Sequence, residues 1–480
     1  MKLEVVQMIN PVLLIVIPLL LAFVGVMFKN LSKSLLFFGL ILNTIFAFFV
    51  QKGSYELGGW QPPFGINLLV DNYSLFGIVL INVLFLVSSL IGIRKIEKYS
   101  LPLLISLAGL NGMVLTNDLF NFYVFFEIAT ISAYIISTLH GKYHHTFNYL
   151  VLGSVGSSLY LLGIIIVYAV VGSLNMSDLS MHFSELSANI QLIVSILIFS
   201  GLAVEAKLIP FNSWVRGIYS NVNTLTAPLF SAVYASTVFL VFGRFFSNLI
   251  TISGPLFNIF IAITFITFIF AEASATATKN MREILTFSSI GQAGLITGLF
   301  LIGGGYAAIL QIINNAFAKI VMFSTAANVY ENNSSDSIDQ AAGIFRKYPL
   351  IGFGFTVSAL SLIGLPLFFG FYAKFNIINT AFNTNWIIPL VILLGSLLEG
   401  VYYIRMLVKL WVPGEEHEET TEKLTTKFSM NKLFVISVVS VVVGFLFIVG
   451  GIYPELFGDF VQNVSTPLKD SLSYLSMGVM

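Results

Sequence analysis

The stretch that decides the fold is residues 117–127, which read Asn-Asp-Leu-Phe-Asn-Phe-Tyr-Val-Phe-Phe-Glu. It opens an apolar run that continues to residue 139. As a helix, such a run is long enough to cross a hydrocarbon layer of about 30 Å. Glu127 then lies within that layer, where an ionisable group is costly and is a functional candidate by default. We therefore predict a membrane-spanning helix that carries a functional acid.

The composition of the whole chain agrees with a lipid environment. Of the 480 residues, 57% are hydrophobic and 10% are charged, and the mean hydropathy is +0.92. A soluble domain of ordinary composition has roughly 25% charged residues. This difference excludes a soluble globular protein.

Charge and cysteine content exclude further classes of function. Lys plus Arg and Asp plus Glu number 23 each, so the chain has no net basic field, and we predict no nucleic-acid partner. Cysteine is absent, which excludes disulfides, iron–sulfur clusters and thiolate metal sites in this chain. We predict no cofactor in this chain and expect any redox chemistry to lie on another subunit.

Apolar runs recur along the sequence, and we count fourteen of them as spans 1 to 14. Their approximate ranges are 10–28, 34–50, 72–93, 101–116, 119–139, 149–171, 190–211, 226–246, 256–276, 284–302, 305–329, 349–371, 385–410 and 433–453. With the N-terminus outside, fifteen Lys and Arg residues fall in the inner loops. The positive-inside rule then places both termini on the non-cytoplasmic side of a prokaryotic cell membrane.

Several ionisable residues fall inside the predicted spans. They are Glu127, Glu205, Lys207, Lys319, Lys374 and Glu399, with Glu272 nearer an inner helix end. Alternating acids and lysines can exchange protons near neutral pH and so suit a proton relay. The alternative is that some of them form structural pairs that fix helix packing.

Two spans are predicted to be interrupted by proline. Pro210 follows Glu205 and Lys207, and Pro366 precedes Lys374 by eight residues. Discontinuous helices at matching places in two halves are typical of transport sites. We therefore expect helix breaks at Pro210 and Pro366.

Several motifs resemble one family, the antiporter-like subunits of respiratory complex I, Mrp-type cation/proton antiporters and membrane-bound hydrogenases. Residues 117–127 are similar to the family's signature between spans 4 and 5, which ends in its key glutamate. The other matching motifs are residues 172–179, similar to the loop after span 6 of the Mrp-type D subunit, and 209–214, 282–292, 316–319 and 370–374, all in the family's order.

The resemblance implies an all-α fold of about fourteen helices with two inverted five-helix repeats, in which helices 7 and 12 are broken. The implied divisions are residues 1–98 (spans 1–3), 99–250 (first repeat), 251–412 (second repeat) and 413–480 (acidic loop, span 14 and tail). Glu127 would gate the N-terminal half, while Lys319 and Lys374 would be the relay and terminal lysines of the C-terminal half.

The implied function is movement of protons, and possibly sodium ions, through a mid-membrane chain of charged residues. The chain would work with other membrane subunits of a hetero-oligomeric complex and would not be an enzyme by itself. The alternatives are a scaffold subunit with a degenerate N-terminal ion path and an independent secondary transporter.

Several positions depart from the family pattern. The place of the span 7 lysine is occupied by Glu205, with Lys207 two residues later. Polar residues that do not titrate stand where the family has basic ones, and we expect them to line the path: Asn148, Asn212, Ser236 and Asn315. Glu127 and Glu205 either share a proton or a cation, or this half has lost transport and keeps a structural ion pair.

We assign no functional site to two further polar clusters. His140, His144 and His145 follow span 5 without a carboxylate or thiolate beside them, and we predict no metal site there. The acidic run 415–422 is interpreted as a solvated loop.

Overall fold

A computed structural model describes residues 9–93, 96–139, 141, 143–219, 223–250, 252–333, 337–413 and 430–468, without the side chains of 332, 333 and 430–432. His140 and the acidic run 415–422, both considered above, lie outside the described residues.

The described chain is almost entirely helical. In order, the helices are α1 (Leu13–Met27), α2 (Ser32–Phe49), α3 (Asn72–Ile91), α4 (Ser100–Leu115), α5 (Leu119–Thr138), α6 (Tyr143–Val171), α7 (Met176–His182), α8 (Ala188–Glu205), α9 (Ser213–Tyr219), α10 (Thr226–Pro228), α11 (Ala235–Arg244), α12 (Gly254–Ala277), α13 (Met281–Leu301), α14 (Gly305–Asn333), α15 (Ile344–Lys347), α16 (Pro349–Ile363), α17 (Phe369–Phe382), α18 (Ile387–Trp411), α19 (Met430–Ile452) and α20 (Glu455–Ser465). The π-helical segments Leu229–Tyr234 and Phe245–Leu249 extend α10 and α11 into one continuous span.

The helices reproduce the predicted spans. Among the described residues, twelve helical segments are long and apolar enough to cross a membrane, and α1 and α16 are shorter apolar helices. Together they account for the fourteen predicted spans, but spans 7 and 12 continue after their breaks as α9 and α17, beyond the predicted limits of residues 211 and 371. The prediction of a polytopic helical membrane protein is confirmed. The connection between α2 and α3 contains an antiparallel hairpin of β1 (Gly53–Glu56) and β2 (Asn67–Val70).

Two of the sequence motifs pack against each other and fix the start of α5. Asp118 caps the helix, since its side chain accepts a hydrogen bond from the Asn121 backbone N–H at 2.7 Å. The backbone N–H of Leu119 donates to the Leu174 carbonyl at 2.8 Å, and that of Met176 donates to the Asn117 carbonyl at 2.8 Å. The loop after α6 therefore holds the signature stretch in place.

Both predicted helix breaks are present. Pro210 lies in the linker 206–212 between α8 and α9, and Pro366 lies in the linker 364–368 between α16 and α17. Lys207 in the first break is left-handed with φ of 62°, Gly364 ends α16 with φ of 84°, and Leu367 in the second break has φ of 79°. Because a left-handed residue cannot continue a right-handed helix, each span changes direction at these residues.

Small residues let the helices around the breaks approach closely. A Cβ atom built on Gly201 of α8 would lie 2.8 Å from the Gly156 carbonyl oxygen of α6. A Cβ atom on Gly294 of α13 would lie 2.4 Å from the Thr264 carbonyl oxygen of α12. Both distances are shorter than any real contact, so only glycine allows this packing.

Candidate ion-translocation path

The N-terminal cluster is built around Glu205, the last residue of α8, which is 6% exposed. The Tyr149 hydroxyl on α6 donates to Glu205 Oε2 at 2.9 Å, and the Tyr149 ring stacks on Trp214 of α9. Glu205 Oε1 is buried and has no hydrogen-bond partner among the described residues. One carboxylate oxygen is thus held, and the other is free to accept a proton or a cation.

Glu127 lies beside this cluster on α5. Its side chain is half-buried, and its carboxylate makes no hydrogen bond within the part of the chain that the structure describes. Glu127 and Glu205 are close enough for their charges to interact. The two acids are therefore brought together, although they do not touch through a shared hydrogen bond.

Lys207 turns away from Glu205. Its left-handed backbone directs the buried side chain toward α13, where Nζ donates to Ser289 Oγ at 3.0 Å and to the Tyr219 hydroxyl at 3.4 Å. In the described structure, Glu205 and Lys207 form no direct ion pair. Ending the helix between them thus gives each a different neighbour.

Lys319 on α14 contacts hydroxyl groups of α13 and α18. Its Nζ donates to Ser288 Oγ at 2.7 Å and to the Tyr403 hydroxyl at 3.2 Å, and the side chain is fully buried. Ser288 precedes Ser289, the partner of Lys207, on α13. Adjacent serines therefore receive one hydrogen bond from each half of the protein.

Lys374 and Glu399 form a buried ion pair between α17 and α18. Lys374 Nζ also donates to the Ile363 carbonyl at 2.9 Å, at the C-terminus of α16, where an ammonium group complements the helix dipole. Glu399 accepts from Gln292 Nε2 at 2.5 Å, and Gln292 accepts from Gln311 Nε2 at 2.5 Å. The carbonyl at the helix break accepts a hydrogen bond from Lys374, and the glutamines provide a donor to Glu399. Both members of the ion pair therefore have hydrogen-bond partners besides each other.

The four predicted polar-path residues have different surroundings. Ser236 and Asn315 are buried, and the structure shows no partner for Ser236 Oγ or Asn315 Oδ1 among the residues it describes. Asn212 is half-buried in the first linker. Asn148 is exposed on α6, and its neighbour Tyr149 makes the contact with Glu205. The structure therefore does not bring Asn148 into the cluster.

Sequence reasoning missed most of the hydroxyl and amide partners. Ser288, Ser289 and Gln292 lie in the motif 282–292, where they could have been found, and Tyr402 and Tyr403 follow Glu399 by three and four residues on one helix face. Tyr149 had no comparable signal. Within the described ranges, no group of three or more His, Cys, Asp or Glu residues is placed to hold a metal ion.

The match to known sequences covers the ionisable residues described above. Residues 116–399 match the family described as NADH:quinone oxidoreductase/Mrp antiporter, transmembrane. The chain belongs to this family. The match begins at the signature stretch and ends at Glu399, and it confirms the resemblance inferred from the motifs and the prediction of an antiporter-like membrane subunit.

Similarity to individual proteins supports the family assignment. The chain is 30% identical over 397 residues to the Na(+)/H(+) antiporter D subunit of Bacillus subtilis, covering 79% of this chain and 80% of that one. It is similar to a chain of the membrane-bound sulfane sulfur reductase, an archaeal respiratory membrane complex, with 30% identity, TM-score 0.88 and coverage of 98% and 99%. A chain of the Mrp complex from Dietzia sp. shares the fold, with 19% identity, TM-score 0.87 and coverage of 98% and 99%.

Proposed function

We propose that this chain conducts protons along one continuous row of buried and half-buried side chains, as a subunit of a larger membrane complex. The row consists of Glu127, Glu205, Lys207, Lys319, Lys374 and Glu399, with Ser236, Asn315 and Asn212 as polar positions along it. Family membership supports ion translocation, and the buried contacts support this particular route.

The observation that carries the proposal is the junction at Ser288 and Ser289. Lys207 reaches this junction from the linker after α8, and Lys319 reaches it from α14. The charges of the two lysines interact across it. Hydroxyl groups both donate and accept hydrogen bonds, so each serine can pass a proton to or from the lysine that it contacts, and a water molecule between Ser288 and Ser289 would complete the connection.

The N-terminal half supports two roles. The buried, unpartnered Glu205 Oε1 and the nearby Glu127 carboxylate favour a site that takes a proton, or a sodium ion as a transported substrate. The alternative, a structural half that has lost transport, keeps Glu205 only for its contact with Tyr149. We favour the first role because a carboxylate oxygen without a partner contributes nothing to packing.

The proposal also includes the partner subunits of the chain and its location in the membrane. The names of its relatives, an antiporter subunit and a respiratory membrane complex, support assembly with other membrane subunits. Any redox chemistry then belongs to those subunits. The distribution of basic residues supports a location in the cell membrane with both termini on the non-cytoplasmic side. The division into repeats at residues 99–250 and 251–412 stays a prediction.

The experiment is proton flux through the purified complex in sealed vesicles, followed with a pH-sensitive dye. Lys319→Ala removes a relay ammonium that contacts only hydroxyl groups, so the complex should assemble and lose roughly 100-fold or more of its flux, the lower end of what positioned proton-transfer groups contribute. Lys98→Ala removes an exposed lysine and should leave flux unchanged.

The same preparations test the alternatives. Affinity purification in mild detergent should recover several other membrane subunits with the chain. Full flux in Lys319→Ala complexes would favour the scaffold role, and an active chain recovered alone would favour an independent transporter.

A further inference from the structure

Glu272 is a buried carboxylate that the proposed row does not use. It lies on α12 and is 0% exposed, and its Oε2 accepts a hydrogen bond from the Tyr402 hydroxyl on α18 at 2.8 Å. Its Oε1 has no hydrogen-bond partner among the described residues. A fully buried oxygen without a hydrogen-bond partner lowers the stability of the fold. Its presence therefore points to a functional role.

Glycine leaves space beside the unpartnered oxygen. A Cβ atom built on Gly291 of α13 would lie 2.0 Å from Glu272 Oε1, so any side chain there would displace the carboxyl group. Gln311 Oε1, also fully buried, is a second unpartnered acceptor in this half of the described structure. The polar interior of the C-terminal half therefore holds more acceptors than the donors that satisfy them.

The charges around Glu272 are distributed unevenly. The charges that interact with it are those of Glu399, Lys319 and Lys374. Lys374 contacts Glu399 directly, whereas Lys319 contacts only hydroxyl groups, and no ammonium or guanidinium group of the described chain contacts Glu272. Lys374 and Glu399 are thus paired with each other, whereas the acid Glu272 and the base Lys319 have no partner of opposite charge in contact among the described residues.

Two adjacent tyrosines contact the unpaired acid and the unpaired base. Tyr402 donates to Glu272, while Tyr403 accepts from Lys319, and the two ring centroids are 4.4 Å apart. Arg405, one helical turn further along α18, donates to the Thr276 and Thr278 carbonyls at the end of α12. These contacts fix α12 against α18 and hold Glu272 near Lys319.

We propose that Glu272 is a further proton-transfer residue of this chain, the acceptor for the proton of Lys319, and that Tyr402 positions it. In this step one N–H bond of the Lys319 ammonium breaks and an O–H bond forms at Glu272 Oε1. A neutral amine and a neutral carboxylic acid result, so net charge is conserved. The amine then takes the next proton through Ser288. This inference rests on the proposed function, because it needs Lys319 to carry protons.

The test measures proton flux of the whole complex in vesicles with Glu272→Gln, which keeps shape and removes the titrating group. Flux should fall roughly 100-fold, as for loss of a positioned proton-transfer group. Glu185→Gln, at an exposed acid in the connection before α8, is the matched control and should have no effect. Infrared difference spectra during turnover should show a carboxylic acid C=O signal that disappears in Glu272→Gln.

The outcomes separate this inference from the proposed function. Unchanged flux in Glu272→Gln, together with loss of flux in Lys319→Ala, overturns the role of Glu272 alone. Unchanged flux in both variants overturns both proposals. If Glu272→Gln does not assemble, Glu272→Asp decides: retained flux with a shifted carboxylic acid signal supports the role, and an unshifted signal overturns it. Tyr402→Phe should shift the same signal and alter the pH profile of flux, which a purely structural tyrosine would leave unchanged.

Discussion

The two halves of the protein hold their buried acids in similar ways and their lysines in different ways. Glu205 and Glu272 each accept a tyrosine hydroxyl at one oxygen and leave the other oxygen unpartnered within the described structure. In the C-terminal half, however, Lys374 contacts Glu399 directly, whereas in the N-terminal half Lys207 faces away from Glu205. The comparison shows that the C-terminal half pairs a lysine of the proposed row with a glutamate of that row, whereas Glu205 in the described N-terminal half has no such partner.

The physical origin of the difference is the backbone at the two breaks. In the first break Lys207 itself adopts the left-handed conformation, and this conformation directs its side chain toward α13. In the second break Gly364 and Leu367 take that conformation, and Lys374 lies further along the chain, inside the regular helix α17. Lys374 can therefore face both the end of α16 and Glu399.

The largest effect is expected at Lys374. Lys374→Met should abolish ion movement and also destabilise the protein by about 3–5 kcal/mol, because it leaves Glu399 buried without its partner. Lys319→Met should abolish ion movement with a smaller loss of stability, since Lys319 contacts only hydroxyl groups. Vesicle flux and thermal unfolding of the purified complex measure the two effects.

The double variant Lys374→Met with Glu399→Gln provides the control. It should recover most of the lost stability and none of the flux, because it removes the isolated charge without restoring the relay. Equal thermal stability of Lys374→Met and Lys319→Met would contradict the difference drawn between these two lysines.

A smaller effect is expected at the acids of the N-terminal half. Glu127→Gln and Glu205→Gln should each weaken the dependence of activity on sodium, and the double variant should add little, because neighbouring groups in one site couple. If this half is structural, Glu205→Gln should instead lower yield or melting temperature and leave the ion response per complex unchanged.

Glu205→Lys tests the same comparison, because it introduces the lysine that the resemblance implies at this position. A relay that lacks only its lysine should gain proton transfer, whereas a cation site built on two acids should lose its ion. A variant that behaves like the unaltered complex in both respects would favour the scaffold role for this half.

The smallest effect is expected for Tyr149→Phe. It leaves Glu205 Oε2 without its donor and should reduce stability by about 1–3 kcal/mol, as expected for a buried group that loses its hydrogen bond. Tyr168→Phe, at an exposed tyrosine on the same helix, is the matched control. Identical melting temperatures for the two variants would show that the contact with Glu205 is not stabilising.

The spans and their breaks could be predicted because they depend on composition and on proline. Apolar runs of sufficient length gave the spans, and Pro210 and Pro366 marked the interruptions, since proline lacks the N–H that a helix needs. The ionisable residues of the row could also be predicted, because a charge inside an apolar run is conspicuous.

The partners of those residues could not be predicted, because they depend on helix rotation and on local backbone conformation. A shift of one residue on α6 replaces Asn148 by Tyr149 and turns the helix face by about 100°. The direction of Lys207 depends on its left-handed φ, which a residue type other than glycine rarely adopts and which the sequence does not reveal.

The most direct test of one continuous row is proton flux in complexes with Lys207→Met, Lys319→Met and both substitutions. A single row predicts that each substitution alone reduces flux as severely as the double substitution, because the lysines act in series through Ser288 and Ser289. Two separate paths predict that each single variant keeps the flux of the other half and that only the double variant loses both. Substantial flux remaining in Lys207→Met alone would contradict the single row.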